Sequence, residues 1–331
     1  MQRDTPWLIP ALWTLAALLF AVSLCVGPAE AGWGESLRAL VTGEGGPIAV
    51  VMREIRLPRA VLGVIIGVSL GLSGAAMQGY LRNPLAEPGL IGVSGSAALG
   101  AVLAIHTGLA ASFALGLPLA ALIGALIGTG IILMLAGPRG GALTLILAGI
   151  AISALAAALT SLVLNLSPNP FAANEIVFWM MGSLADRSMI HLWLALPLSL
   201  LGWALLLSLG RGIDALTLGE DAAEALGMNL SALRLRLVIG TACAVGAATA
   251  VAGAIGFVGL VVPHFLRPFV GAVPSRLVHA SAAGGAVMLL AADIAVRVIL
   301  PGQDLKLGVL TALVGAPLFL HLIYKTRQEG L

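Results

Sequence analysis

Residues 55–102, IRLPRAVLGVIIGVSLGLSGAAMQGYLRNPLAEPGLIGVSGSAALGAV, form the most informative segment of this chain. A long apolar run with many glycines begins at an arginine cluster and ends at Arg82-Asn83-Pro84. After this polar turn a second glycine-rich apolar run begins. Glycine lets helix backbones approach each other closely inside a bilayer. The segment therefore predicts two closely packed membrane helices, as a transport channel requires.

The composition of the whole chain agrees with this prediction. Of its 331 residues, 60% are hydrophobic and only 10% are charged, and the mean hydropathy is +1.07. These values are typical of proteins that cross a membrane many times, and long apolar runs favour helices over a barrel. The net charge of +2 is too small to indicate a nucleic-acid surface. Cys25 and Cys243 both lie in apolar runs and are interpreted as packing residues.

The pattern along the chain predicts an all-α polytopic membrane protein, with one transmembrane domain over residues 1–331. Ten spans are expected, at about 7–27, 57–81, 90–107, 113–136, 143–165, 190–209, 233–254, 256–270, 277–299 and 307–325. The eighth is too short to cross a bilayer at ~1.5 Å per residue. It is expected to be a half-span, or to continue irregularly to Arg267. A short surface helix is expected within 28–56, and an amphipathic piece at 175–182.

Six segments of the chain resemble one family of membrane proteins. In order they are IRLPR (55–59), SGAAMQGYLRNPLAEPGLIGVSGSAALGA (73–101), WMMGSL (179–184), LGEDAAEALGM (218–228), GAIGFVGLVVPHFLR (253–267) and LGVLTALVGAPLFLHLI (307–323). They recur in this order over essentially the full length. The chain resembles permeases of the FecCD/BtuC type, which are the transmembrane subunits of bacterial importers for iron chelates, haem and cobalamin.

The resemblance implies the architecture of a type II ABC importer permease, with about ten spans in the bacterial inner membrane. It also implies the partners: a second permease copy in a homodimer, two ABC ATPase subunits, a periplasmic substrate-binding protein and the surrounding membrane lipid. ATP and Mg²⁺ would be bound by the ATPase subunits, so no cofactor and no metal are expected in this chain, and no nucleic acid among its partners.

The chain lacks the pattern Gly-x-x-x-x-Gly-Lys-Ser/Thr, and neither Lys306 nor Lys325 follows a glycine-rich turn. It therefore cannot hold ATP phosphates in the usual loop, and we do not expect it to be an enzyme. The polar segment 211–232 predicts two short cytoplasmic helices and matches the coupling helices of the family. Its expected ATPase-coupling residues are Glu220, Asp221, Glu224, Ala225 and Gly227. An ordinary solvated loop is the alternative.

Basic residues on the opposite side form a second expected site. The resemblance places Arg56, Arg59 and Arg297 where the family receives glutamates of the binding protein, and the planar guanidinium suits bidentate pairing with a carboxylate. Anchoring of these side chains at the membrane interface is the alternative. Asp293 lies four residues before Arg297, on the same helix face, which predicts an internal ion pair.

The transport pathway is expected along the fifth span and at its cytoplasmic start. The resemblance implies a cytoplasmic gate formed by Asn83 and Leu85 on one side and by Leu143 and Thr144 on the other. The expected pathway-lining residues are Ser153, Thr160, Ser161 and Asn165. For each hydroxyl, a hydrogen bond to the carbonyl of its own helix is the alternative.

Two other functional classes were weighed. A secondary transporter driven by an ion gradient usually places carboxylates at mid-membrane, and Asp293 is the lone candidate. An intramembrane enzyme needs a nucleophile with a base or a metal-binding cluster, and the five histidines show no metal-ligand spacing. An ATP-driven importer permease is therefore the main prediction. Its substrate is expected to be an iron chelate, a ferric siderophore or haem, with cobalamin as the alternative.

Overall fold

The computed structural model describes residues 5, 7–27, 32–43, 46–137, 140–167, 170–271, 273–299 and 305–329, and these residues are helical or irregular, without strands. The helices of the first half are α1 (Leu8–Cys25), α2 (Trp33–Thr42), α3 (Pro47–Val50), α4 (Leu57–Leu81), α5 (Val93–His106), α6 (Leu109–Ser112), α7 (Gly116–Ala136) and α8 (Ala142–Asn165). Those of the second half are α9 (Pro170–Met180), α10 (Met189–Leu207), α11 (Gly210–Leu216), α12 (Glu220–Ala225), α13 (Leu230–Ala252), α14 (Val258–Leu266), α15 (Pro274–Ile299) and α16 (Leu307–Glu329).

The expected set of spans is present. Seven segments are long and apolar enough to cross a bilayer: α1, the continuous segment Pro47–Leu81, α7, α8, α10, α13 and α15. Three shorter apolar helical segments, Val93–His106, Val258–Phe269 and Leu307–His321, correspond to the remaining predicted spans. The eighth span is short, as predicted: α14 ends at Leu266 and continues as the 3-10 turn Arg267–Phe269. The all-α polytopic prediction is confirmed.

The centre of the bundle is the crossing of α4 and α15. Glycines make this crossing possible, because a Cβ atom on Gly67 would meet the carbonyl group of Gly285. One helical turn further, a Cβ atom on Gly71 would lie against the carbonyl oxygen of Ser281 and 2.9 Å from its carbonyl carbon. The two backbones therefore touch directly, which is the packing that glycine-rich membrane helices favour.

The eighth span begins with a break in the helical backbone. The helix α13 ends at Gly253, which has a left-handed φ of +75°, and α14 starts after Phe257, which has a φ of +67°. The intervening residues carry no helical hydrogen bonds, so their polar backbone groups need partners elsewhere in the protein. Such breaks at membrane depth occur where the backbone is buried in protein or lines a cavity.

Two smaller sequence predictions have different outcomes. The surface helix expected within 28–56 is α2, Trp33–Thr42, and it is amphipathic with Ser36 and Ala39 buried. The amphipathic piece expected at 175–182 is misplaced, since the helix there is α9, Pro170–Met180. A proline at the first helical position fixes φ near the helical value, which accounts for the earlier start.

Candidate functional site

A buried network of charges lies at the end of the bundle that was predicted to face the periplasm. Asp293 is 1% exposed, and its Oδ2 lies 2.8 Å from Nη2 of Arg297, one helical turn away. Its Oδ1 accepts from Nε of Arg59 at 2.9 Å and lies 2.8 Å from Nη2 of the same side chain. The predicted pair of Asp293 with Arg297 is confirmed. Arg59 is an additional member, and two cations share one carboxylate.

Arg297 of this network, together with Arg56, also binds the end of the first helix, α1. The guanidinium of Arg56 donates to carbonyl oxygens in the last turn of α1, and so does that of Arg297. The bonds run from Arg56 Nη1 to Leu24 O (3.1 Å) and Cys25 O (3.4 Å), and from Arg297 Nη1 to Ser23 O (2.9 Å) and Val26 O (2.7 Å). Carbonyls at a helix C-terminus lack partners within the helix and favour a cation. The arginines therefore cap α1.

These contacts bear on the expected docking site. Arg56 is 4% exposed, and the side chains of Arg297 and Arg59 are 10% and 18% exposed. Of the three, Arg59 offers the most surface to a protein from outside. Docking of a binding protein on Arg56, Arg59 and Arg297 stays a prediction. In this chain Arg56 and Arg297 also stabilise the end of α1 through hydrogen bonds.

The cytoplasmic turn after α4 has a defined shape. Arg82 adopts a left-handed conformation with φ of 49°, which ends the helix. The side-chain oxygen of Asn83 accepts from the backbone N–H of Leu85 at 2.9 Å, and the N–H of Asn83 donates to the carbonyl of Gln78 at 3.1 Å. Hydrogen bonds of this kind stabilise tight turns. The turn expected to form one half of a gate is thus held by the side chain of Asn83 and by a backbone bond to the last turn of α4.

Glu87, in the same turn, is a residue that the sequence analysis did not select. Its Oε1 accepts from the backbone N–H of Phe257 at 2.7 Å, at the break between α13 and α14. The carboxylate thus provides a partner for an N–H group at the start of a helix, where negative charge is favourable. Burial raises the pKa of the Glu87 carboxyl above its usual range, and the hydrogen bond from Phe257 opposes part of that shift.

Replacement of Glu87 by glutamine is expected to stabilise the protein at pH 8 and to change little near pH 4. The raised pKa means that the folded state disfavours the ionised carboxylate, so wild type loses stability as the pH rises from about 4.5 through the raised value. Glutamine keeps an acceptor oxygen for Phe257 and never ionises. Thermal unfolding midpoints of both proteins in detergent, measured from pH 4 to pH 8, test this.

The matched control is Glu35→Gln, because Glu35 is an exposed carboxylate on α2. Its effect on the midpoint should be small and nearly independent of pH. A Glu87→Gln protein that is less stable than wild type at pH 8 would contradict the argument. It would mean that the ionised carboxylate contributes more through its hydrogen bond than burial costs.

The second half of the expected gate and the expected pathway wall lie on α8. Leu143 and Thr144 are both exposed in its first turn. Farther along, Ser153 is half-buried, Ser161 and Asn165 are exposed, and Thr160 is only 5% exposed. The hydroxyl of Ser161 donates to the carbonyl of Ala157 at 3.0 Å. Thr160 packs inside the subunit, so it does not share the exposed face of α8 with the other members of this set.

A cleft that sequence reasoning missed lies beside the helix break. Its volume is about 560 Å³, and it is bounded by the end of α9, by the segment between α13 and α14, and by α16. Met180, Met181, Gly256, Phe257 and Pro317 are among its lining residues. The cleft is mainly apolar, and these three parts of the chain are far apart in sequence. Only the fold brings them together.

The expected coupling segment forms two short helices, as predicted. The helices α11 and α12 flank Gly219, and α12 begins with two acidic residues, as suits a helix N-terminus. All five expected coupling residues, Glu220, Asp221, Glu224, Ala225 and Gly227, are exposed. Two large apolar side chains, Leu218 and Leu226, are 68% and 61% exposed beside them. The segment therefore presents a mixed apolar and acidic surface.

This coupling segment is joined firmly to the bundle. The side-chain oxygen Oδ1 of Asp214, on α11, accepts from the backbone N–H of Ser275 at 2.8 Å. Ser275 lies in the first turn of α15, which crosses α4 in the centre of the protein. This bond joins α11 directly to the start of a central helix.

This architecture of packed spans, a broken helix and two short polar helices was compared with known proteins. The model of the FecCD transport family matches residues 15–325. This chain belongs to the FecCD transport family. The chain is 38% identical over 331 residues to the vitamin B12 import system permease protein BtuC of Klebsiella pneumoniae, covering 99% of this chain and 96% of that protein. It is also 38% identical over 329 residues to the protein of the same name from Salmonella typhi, covering 99% and 97%.

Two solved structures are similar to this FecCD protein. One is described as a metal-chelate type ABC transporter in an inward-facing conformation; it has a TM-score of 0.86 and 33% identity, and the match covers 97% of this chain and all of that one. The other is PsaBC from Streptococcus pneumoniae in complex with Fab, at a TM-score of 0.52 and 16% identity, covering 87% and 94%. The second shows a shared fold only. The FecCD protein is thus a multi-pass permease subunit of an ABC importer in the inner membrane, not an enzyme.

Proposed function

We propose that this FecCD-family permease imports a cobalamin-type corrinoid across the inner membrane. The observation that carries the proposal is the 38% identity, over 99% of the chain, to permeases named for vitamin B12 import. This reverses the order expected from the sequence, in which an iron chelate stood first and cobalamin second. The solved relative at 33% identity is named for metal chelates, a class to which both substrates belong.

The surfaces of the subunit support a pathway for a large solute. The cleft beside the helix break is about 560 Å³ in one subunit and is lined by small, flexible or apolar side chains. Such walls offer few strong hydrogen bonds, so a bulky chelate would pass without being held. Asn83, Leu85, Leu143 and Thr144 stand at the expected cytoplasmic end, and Ser153, Ser161 and Asn165 stand on the more open faces of α8.

The energy for transport is proposed to come from two ATPase subunits that bind ATP and Mg²⁺. Their contact would be the exposed segment α11–α12, where apolar Leu218 and Leu226 lie among acidic residues. Apolar side chains of this size on a polar surface are typical of sites for partner proteins. A periplasmic binding protein would deliver the substrate to the end that carries Arg59. A second permease copy would complete the pathway, since α8 exposes large apolar residues along its length.

Transport by the reconstituted complex tests the proposal. The permease, its ATPase and its binding protein are placed in liposomes, and the uptake of labelled cyanocobalamin, a ferric siderophore and haem is measured with and without ATP. We expect ATP-dependent uptake of cyanocobalamin, at least about tenfold above that of the other two compounds. Each tenfold difference corresponds to about 1.4 kcal/mol of discrimination, which a few specific contacts in a binding protein supply.

Liposomes that lack the ATPase serve as the control and should not accumulate the solute. If the ferric siderophore or haem is taken up and cyanocobalamin is not, the proposed substrate is wrong, but the proposed function as an ATP-driven importer stands. Accumulation against a gradient in the absence of any ATPase would overturn the proposed source of energy. In that case an ion-coupled mechanism would have to replace it.

A further inference from the structure

A small polar cavity lies where three functional segments meet at the cytoplasmic end. Its volume is about 180 Å³. Glu220 and Glu224 of α12 line one side, and Tyr80, near the end of α4, lines another. Gly140 and Gly141, immediately before α8, complete it together with residues from the start of α13. The cavity thus joins the coupling segment to the two chain segments that lead into the expected gate.

Among the residues that the structure describes, Arg234 is the basic residue that lines this cavity. It lies in the second turn of α13 and is only 6% exposed. Its Nη2 donates to the carbonyl oxygen of Gly137 at 2.9 Å. Gly137 is the residue that ends α7, and it has a left-handed φ of +64°. A carbonyl at this position has no partner inside its own helix, so a hydrogen bond from a guanidinium is favourable there.

The contact between Arg234 and Gly137 links the start of α13 to the part of the chain that leads into α8. Gly137 precedes the segment that starts α8, whose first turn holds Leu143 and Thr144. Gly140 lies close to the end of α7, because a Cβ atom at this position would lie against the carbonyl oxygen of Ala136. On the other side, α12 and the start of α13 follow each other closely in the chain. A movement of α12 therefore reaches Arg234 before it reaches the rest of α13.

We propose that Arg234 is a positioning residue that transmits the movement of α12 to the start of α8. Its hydrogen bond to Gly137 holds the end of α7, so that the first turn of α8 follows the coupling segment. Glu220 and Glu224 share the cavity with Arg234, and they give it an acidic surface on the side of α12. The inference rests on the proposed function in one respect, namely that an ATPase moves the coupling segment.

The experiment uses the full complex in liposomes and the variant Arg234→Met, which removes the donor but keeps a long side chain. ATP hydrolysis and cyanocobalamin uptake are both measured. We expect the rate of hydrolysis to stay within about twofold of wild type, while uptake per ATP falls at least about tenfold, as suits the loss of the charged group and of its hydrogen bond to Gly137. Arg234→Lys, which keeps a cation and a donor, should recover part of the lost uptake.

A second readout reports the position of α8 directly. Spin labels are placed at exposed Leu147 on α8 and at exposed Leu200 on α10, a helix outside the proposed path, in a protein whose Cys25 and Cys243 are replaced by alanine. Addition of ATP should shift the distance between the labels in the wild-type complex. In Arg234→Met the shift should be lost or the distribution broadened. If Arg234 had only a structural role, Arg234→Met would lower the stability of the protein, but its folded molecules would still show the ATP-dependent shift of the label distance.

The matched control is Arg236→Met, since Arg236 is an exposed arginine two positions along the same helix. It should behave as wild type in all three measurements. Unchanged uptake per ATP in Arg234→Met, or an unchanged shift of the label distance, would overturn the proposal. If Arg234→Met does not assemble, the label distance in Arg234→Gln, which removes the charge and shortens the side chain, decides in the same way. A wild-type complex that moves its labels with ATP but carries no cobalamin would refute the proposed substrate and leave this inference standing.

Discussion

Replacement of Asp293 by asparagine is expected to destabilise the protein strongly. The carboxylate is 1% exposed and stands between the guanidinium groups of Arg59 and Arg297, within 2.8 Å of each. Without its charge, two cations remain close together at a poorly solvated place. Removal of one partner from a buried ion pair costs about 3–5 kcal/mol. The thermal unfolding midpoint in detergent should fall by roughly 10 °C.

Two further variants separate this cause from a general sensitivity to mutation. Glu35→Gln removes an exposed carboxylate from α2 and should leave the midpoint nearly unchanged. Arg59→Met, introduced together with Asp293→Asn, should recover part of the loss. In that double variant one of the two repelling cations is gone, while Arg297 keeps its carbonyl partners on α1. Equal midpoints for wild type and Asp293→Asn would refute the view that the network stabilises the fold.

Replacement of Gly71 by alanine is expected to disrupt the central crossing of α4 and α15. The added Cβ atom would lie against the carbonyl oxygen of Ser281, with the Cα atom of Gly285 at 3.3 Å. Both obstacles belong to a backbone, which cannot rotate away as a side chain does. Overpacking of a well-packed interior costs about 1–3 kcal/mol, and a rigid contact belongs at the upper end. A lower yield of folded protein and a lower unfolding midpoint are the measurements.

Gly130→Ala is the matched control for this change. Gly130 also lies within a membrane helix, α7, but a Cβ atom there would meet no atom within 4 Å. Alanine has the higher helix propensity, so this variant should be as stable as wild type or slightly more stable. If both alanine variants lowered the midpoint equally, the cause would be the loss of glycine flexibility rather than the contact between the two helices.

Much of the fold was predictable because the bilayer restricts what a chain can do. Apolar runs long enough to span gave the ten expected spans. The C-terminal end of α4 agrees with the sequence because the Arg82-Asn83-Pro84 turn follows it, whereas the helical segment that contains α4 begins earlier, at Pro47. The pair formed by Asp293 and Arg297 was also predictable, since residues four apart share a helix face. The start of α9 was wrong, because helix ends depend on local turn chemistry that hydropathy does not report.

The parts of the site that were missed are contacts between distant parts of the chain. Arg59 joins Asp293 across 234 residues, and Glu87 reaches Phe257 across 170 residues. In the sequence, Glu87 is an ordinary acidic residue in a polar turn. The hydrogen bonds from Arg56 to α1 have backbone carbonyls as acceptors, and any residue type supplies these. Composition and spacing carry no information about such bonds, so only the folded arrangement reveals them.

The attachment of α1 has a consequence for how the protein is made. Most residues of α1 are not buried in the protein. Arg297, which donates hydrogen bonds to the end of α1, lies 274 positions after its partner Ser23. During translation α1 leaves the ribosome, and enters the membrane, long before Arg297 exists. Until α15 is synthesised, the end of α1 is therefore held by the bonds from Arg56 and not yet by those from Arg297. Truncated nascent chains that end before α15 should keep α1 inserted but hold it less firmly than the full chain does.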